Sequence, residues 1–221
     1  MFSVVVQYIL TVLVIWALFV QVVMRLIRRY RHFPIPAFIA RYIDNPVRRR
    51  IQPPSKVINW MNIRDEMYVL EVGCGPGTFT LEAANHALKG IVLAIDIQSS
   101  LIMRLRSRLK RAGVNNVEPV VASVYNLPFL DEVFDRAFMI AVIGELPQKE
   151  TALLEIRRVL KDDGLLAIGE FLPDPDCPLK RTVINWAKKA GFELIGRRGG
   201  ILHYLLLFRK ASTSSSTQVS R

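Results

Sequence analysis

Apolar and polar positions divide the chain into stretches of different character. Residues 2–24 carry no charged side chain, and the polar groups Ser3, Gln7, Thr11 and Gln21 are all neutral. As a helix these residues rise about 34 Å, enough to cross a hydrocarbon core of roughly 30 Å, so the spacing predicts one transmembrane helix over 1–24. From residue 67 onward, short β-branched apolar runs alternate with amphipathic segments, the pattern of a wound α/β sheet. Strands are expected at Tyr68–Val72, Ile91–Ile95, Val117–Ala122, Asp135–Ile140, Leu165–Gly169, Phe192–Ile195 and Leu202–Phe208, with helices over 78–88, 99–112, 148–160 and 179–190. Lys161-Asp162-Asp163-Gly164 reads as a turn, with Gly164 a C-cap or positive-φ residue. The last two strands form an expected terminal hairpin turning near Gly199-Gly200. The serine- and threonine-rich tail 211–221 lacks the apolar surface to join a core and is expected to be disordered.

Between these parts, residues 25–58 form a basic stretch punctuated by Pro34, Pro36, Pro46, Pro53 and Pro54, which forbid one long helix. Phe38, Ile39, Tyr42 and Ile43 share one face of a short helix there, suited either to the membrane interface or to one edge of the α/β domain. The α/β domain itself is expected over 59–210. A secretory signal peptide needs a basic n-region and a small-residue cleavage site, and neither flanks the first apolar stretch.

Charge sharpens this picture. The net charge is +11, and Arg25 to Lys56 hold nine Lys/Arg residues against one acid, Asp44. Such a run beside an apolar span reads first as binding to anionic lipid headgroups, and the positive-inside bias puts the domain on the cytoplasmic side. Nucleic acid is the other polyanion such a charge attracts. Cys74 and Cys177 stand alone, with no metal-ligand spacing, so neither a disulfide framework nor a zinc site is expected.

The chemistry concentrates in Val69-Leu70-Glu71-Val72-Gly73-Cys74-Gly75-Pro76-Gly77, a strand ending in an acid and followed by three alternate glycines that open a helix. Glycines there let the chain turn sharply and let a ligand lie against the backbone. A dinucleotide fingerprint would need Gly or Ala where Thr78 stands. Asp96 ends the second strand, where a carboxylate serves both hydroxyls of a ribose; its structural alternative is an N-cap for the helix at Ser99. Further on come Ala122-Ser123-Val124-Tyr125-Asn126-Leu127-Pro128-Phe129, Asp131-Glu132-Val133-Phe134-Asp135, and the run from Ala152 to Leu166.

In order and spacing over about 65–170, these segments resemble the class I S-adenosylmethionine-dependent methyltransferases, within the methyltransferase type 11 group that includes the ubiquinone and menaquinone C-methyltransferases. The resemblance implies a Rossmann-like, mostly parallel seven-stranded sheet ending in an antiparallel hairpin, with S-adenosylmethionine as cofactor and no metal. It implies cofactor contacts at Glu71, Gly73, Gly75, Gly77, Asp96, Ser123 and Val124. Ser123 is a departure, since the family places there an acid that binds the adenine amino group. Glu145, at the end of the fourth strand, is the candidate to orient or deprotonate an acceptor, although methyl transfer depends mainly on alignment. Its structural alternative is a helix-start acid beside Pro147. Tyr42 and Glu170 are candidate acceptor contacts, and His203 reads as structural.

The expected activity is methyl transfer to a membrane-resident or lipophilic acceptor, such as a quinone precursor, a lipid headgroup or an isoprenoid. Two rivals stand beside it. One is a membrane-tethered scaffold that binds S-adenosylmethionine without turnover or has lost it, which Ser123 favours. The other is an RNA methyltransferase, disfavoured because Gly144-Glu145-Leu146-Pro147 lacks the Asn/Asp-Pro-Pro-aromatic segment of base amino-methylases.

Overall fold

The computed structural model describes residues 46–172, 174, 176–200 and 202–211, together with ten positions within 6–23. Those ten are helical, and Tyr8, Ile15, Trp16, Phe19 and Val22 among them are more than half exposed. No helix among the described residues is long and apolar enough to cross a membrane. Much of the expected span 1–24, the stretch 25–45 with Phe38 and Tyr42, and the tail from 212 lie outside the described residues.

Two short helices, α1 (Pro46–Ile51) and α2 (Pro54–Trp60), lead into an alternating α/β array. It runs β1 (Tyr68–Val72), α3 (Thr80–His86), β2 (Ile91–Asp96), α4 (Ser99–Ala112), β3 (Val117–Val121), β4 (Phe134–Ile140), α5 (Lys149–Val159), β5 (Leu160–Phe171), α6 (Lys180–Lys189), β6 (Phe192–Gly199) and β7 (His203–Lys210). The seven strands form one sheet in the order β3-β2-β1-β4-β5-β7-β6. Strands β1 to β5 are parallel, while β7 inserts antiparallel between β5 and β6. The sheet thus matches the expected Rossmann-like architecture with its terminal hairpin.

Burial on both faces explains the apolar runs Val69–Leu70 in β1 and Ala137–Ile140 in β4. One face packs Phe134, Ile156, Val159, Val183, Phe192 and Phe208 under α5 and α6. The other packs Phe79, Ala83, Ile102, Leu105 and Phe138 under α3 and α4. Helix α4 buries Leu101, Ile102, Leu105 and Leu109, one face at helical spacing, and stops at Gly113, which is left-handed at φ 66°. The core also takes Val57 and Ile58 of α2, N-terminal to the expected domain start at 59. Seven residues opening on Pro54 are too few to show a periodicity, so only packing reveals that α2 belongs to the domain.

The Lys161–Gly164 turn differs from expectation. It lies inside β5, where the pairing jumps from Phe134–Leu160 to Arg136–Leu165. Helix α5 is capped at Leu160, and Gly164 does not have positive φ. Its lack of a side chain serves close approach instead, since a Cβ would lie 2.9 Å from the Lys161 carbonyl oxygen and 3.1 Å from that of Phe134.

Candidate functional site

The sheet changes winding direction between β1 and β4, and open α/β sheets bind ligands beyond the carboxyl ends of strands at such a point. A cavity of about 320 Å³ opens there. Of the residues expected at the site, Glu71, Gly73, Gly75, Asp96, Ser123, Val124 and Glu145 line it. Gly77 and Glu170 do not, and Tyr42 lies outside the described residues.

The three glycines after β1 serve three purposes. Gly73, at φ 70°, donates its N–H to the Ile95 carbonyl at 2.8 Å, which ties the loop to the end of β2. A Cβ there would stand 2.4 Å from Val142 Cγ2. Gly77, at φ 88°, lets the chain pass α4, where a Cβ would meet Leu105 Cδ1 at 2.5 Å. Gly75, at φ 53°, has nothing within 4 Å of the place a Cβ would occupy, so the open space beside it belongs to the cavity it lines.

Asp96 braces this loop from β2. Its Oδ2 accepts the Gly75 N–H at 3.0 Å and its Oδ1 accepts the Gln98 N–H at 2.9 Å. The N-cap of α4 is Gln98, without a side-chain cap bond, so the capping alternative for Asp96 does not hold. Burial raises the Asp96 pKa, and the N–H groups of Gln98 and Gly75 partly oppose the rise.

Glu71 faces the cavity from the end of β1 with one carboxyl oxygen, Oε2, lacking a hydrogen-bond partner. Burial, helped by the charge of Asp96, pushes its pKa up to about 8. Thr80 pulls the other way, yet its hydroxyl makes no hydrogen bond of regular geometry. The Cys74 thiol is raised by burial and by the same two carboxyls. An unpartnered buried carboxyl beside open space fits a ligand that brings a cation or a strong donor.

The folded chain therefore holds the Glu71 proton at pH values where the unfolded chain has released it. Stability is greatest below the unfolded value near 4.5 and falls as pH rises through about 8. The slope from this group approaches about 1.4 kcal/mol per pH unit inside that window. Asp96 and Glu170 shift in the same direction. Thermal melts of the ligand-free protein between pH 5 and about 8.5 should thus show falling stability, with a shallower fall in Glu71→Gln. An equal slope in parent and variant would show that Glu71 is not the buried titrating group.

The outer part of the cavity is built from residues far apart in sequence. Ser123 Oγ accepts the Tyr125 N–H at 3.3 Å, so its hydroxyl already serves a local turn. Ala141, the residue after β4, holds φ 58°, fixed by its N–H to the Gly169 carbonyl at 2.8 Å. A non-glycine residue in that region is strained, and this one lines the cavity. Glu145 lies in a turn, its N–H bonded to the Val142 carbonyl, four residues before α5 begins.

Arg48 of α1 and Asp174 also line the cavity. Glu170 sits behind them, 1% exposed, with Oε1 unpartnered. Burial raises its pKa well above the usual range, Asp174 and Glu145 add to the rise, and Arg48 opposes it. Arg48 was hidden in a cationic run that gave no sign of which arginine turns inward. His203 is half-buried in β7, with its pKa lowered by burial and by Lys180, in keeping with a structural place. Among the described residues no group of three or more His, Cys, Asp or Glu is arranged to hold a metal.

Residues 69–164 match the family model described as a methyltransferase domain. The ubiquinone/menaquinone biosynthesis C-methyltransferase of Klebsiella pneumoniae is 31% identical over 154 residues, 67% of this chain and 61% of that protein. Squalene methyltransferase 1 of Botryococcus braunii is 32% identical over 126 residues, 55% of this chain and 32% of that protein. The chain spans less than two thirds of the length of these curated relatives. A solved S-adenosylmethionine-dependent methyltransferase from Aquifex aeolicus shares the fold, with TM-score 0.76 and 23% identity over 80% of this chain and 100% of that one.

Proposed function

We propose that this chain, whose residues 69–164 form a methyltransferase domain of the class I fold, transfers a methyl group from S-adenosylmethionine to a membrane-resident or lipophilic acceptor. The observation that carries the cofactor reading is that Asp96 and Glu71, whose Oε2 has no partner, line one cavity together with the glycine loop. In this reading Asp96 accepts from the ribose hydroxyls and Glu71 from the ammonium group. Gly75 leaves room for the methionine part, and Ser123 and Val124 flank the adenine. When bound, S-adenosylmethionine supplies an activated methyl group on a positively charged sulfur. Glu145, with Arg48 and Asp174 close by on the cavity wall, orients the acceptor, and alignment rather than an obligatory base does most of the work.

The lipophilic acceptor is supported by the apolar wall of Val142, Leu146 and Pro147 and by the uncharged stretch 2–24 with its cationic flank. Relatives named as a squalene methyltransferase, a botryococcene C-methyltransferase and a ubiquinone/menaquinone biosynthesis C-methyltransferase support this acceptor class. In this reading the first stretch spans the membrane once, with the domain on the cytoplasmic side, and the tether raises the local concentration of site and acceptor. Radiolabelled methyl transfer into membrane lipid extracts tests it, with full-length protein compared against a form lacking residues 1–32. The expected result is label in the lipid fraction and a strong loss on truncation. Full activity on a water-soluble acceptor, unchanged by truncation, would sink the acceptor class. Cofactor binding without turnover on any extract would favour the scaffold reading, for which the Ser123 departure speaks.

A further inference from the structure

We infer that the rim formed by the end of β5, the start of α6 and the β6–β7 turn is a docking surface for an anionic phospholipid bilayer, which orients the cavity mouth toward the membrane. This rests on the proposed membrane residence of the chain and adds a second, independent contact to it.

Leu172, Leu179 and Leu202 are exposed, Leu179 to 73%. Hydrogen bonds bring the segments that carry them to one rim although they are distant in sequence. The Leu172 N–H donates to the Leu202 carbonyl at 2.8 Å. The Tyr204 hydroxyl donates to the Pro178 carbonyl at 2.7 Å, which holds the start of α6 against β7. Lys180 Nζ stands 5.8 Å from the Tyr204 ring centre. Scattered single leucines on a surface need no explanation, but three at one rim form a patch.

Cations frame it. Lys180 and Arg181 are exposed at the first turn of α6. Among the described residues, neither has a carboxylate partner. Of the rim's acids, Asp174 lines the cavity, and its Oδ1 accepts the Asp176 N–H at 3.3 Å. Cations at the first turn of a helix oppose its dipole, so α6 gains nothing from Lys180 and Arg181 locally. Leucines ringed by cations match a bilayer surface, where apolar side chains enter the headgroup layer and lysines and arginines meet lipid phosphates. Asp174, two residues from Leu172, joins this rim to the cavity.

The test is hydrogen–deuterium exchange of the full chain in nanodiscs, comparing phosphatidylglycerol-containing discs with pure phosphatidylcholine discs. Amides of the segments carrying Leu172, Leu179 and Leu202 are expected to exchange more slowly on the anionic discs, by about tenfold or more. The variant Leu179→Glu/Lys180→Glu/Arg181→Glu should lose that protection, since each cation near an anionic surface contributes a factor of roughly five. Equal exchange on both discs would overturn the inference. So would protection that grows with protein concentration without lipid, the mark of a second copy on this face. Carbonate extraction from the neutral discs and S-adenosylmethionine titration of the same samples report separately on membrane residence and on the cofactor, so a failure of either reading is told apart from a failure of docking.

Discussion

Asp96→Ala is expected to weaken S-adenosylmethionine binding by about two orders of magnitude or more in isothermal titration, while the protein stays folded. A carboxylate accepting from two hydroxyls makes two charge-assisted hydrogen bonds, each worth about 1.5–3 kcal/mol when its partner is lost. The same side chain holds the Gly75 N–H, so its removal also loosens the loop that faces the ligand. Burial raises the Asp96 pKa, which means the folded protein disfavours this charge relative to water. A group that is costly for the fold and placed on a cavity has the profile of a functional residue. Asp96→Asn keeps one acceptor oxygen, and its loss of affinity should be smaller, about tenfold, with a melting temperature equal to or above that of the parent. Unchanged affinity in both variants would remove Asp96 from the cofactor site.

The second large effect separates the two kinds of glycine in the loop. Gly75→Val should abolish measurable cofactor binding, because the new side chain enters space in which a Cβ meets nothing within 4 Å. Gly75→Ala should cost at least about tenfold in affinity and only about 1–2 kcal/mol in stability, the penalty of a Cβ in the left-handed region. Gly77→Ala should instead damage the fold, since it combines φ 88° with a contact of 2.5 Å to Leu105. Circular dichroism melts alongside the titrations give both readouts. The assignment of Gly75 to the ligand and Gly77 to helix packing is lost if the two alanine variants behave alike.

Much of the fold was legible because each strand and helix carries its own period. Helix α4 fell at its expected residues, since its four buried positions repeat at helical spacing and Gly113 supplies the stop. The strands of the parallel array began within a residue of expectation, except β5, whose pairing with β4 starts before the Lys161–Gly164 bulge. Sequence shows that a chain turns there, but whether the turn ends a helix or bulges from a strand depends on what β4 offers as a partner. The hairpin ran longer than its apolar core suggested, because backbone pairing carries β6 through Arg197 and Arg198 to Gly199 with no apolar pattern to mark it.

The glycine-loop side of the cavity was legible for a related reason. Glu71, the three glycines and Asp96 lie at the ends of two successive strands, where local backbone requirements fix residue type. The acceptor half was legible only in part: Glu145 and Glu170 stood out near strand ends, but nothing marked Arg48 in its cationic run, and these residues, with Asp174, meet only when α1 packs beside β5.

What the sequence determined by itself is therefore the order of elements, the glycine loop with its two acids, and the uncharged first stretch with its cationic flank. Each of these follows from periodicity or from a backbone conformation that few residues tolerate. Tertiary structure alone decided that Gly75 borders the cavity while Gly77 borders a helix, and that the carboxyl of Glu71 is left without a partner. It alone brought Leu172, Leu179 and Leu202 to one rim. These outcomes depend on burial and on contacts between residues far apart in the chain, which set desolvation and free space and leave no local pattern to read.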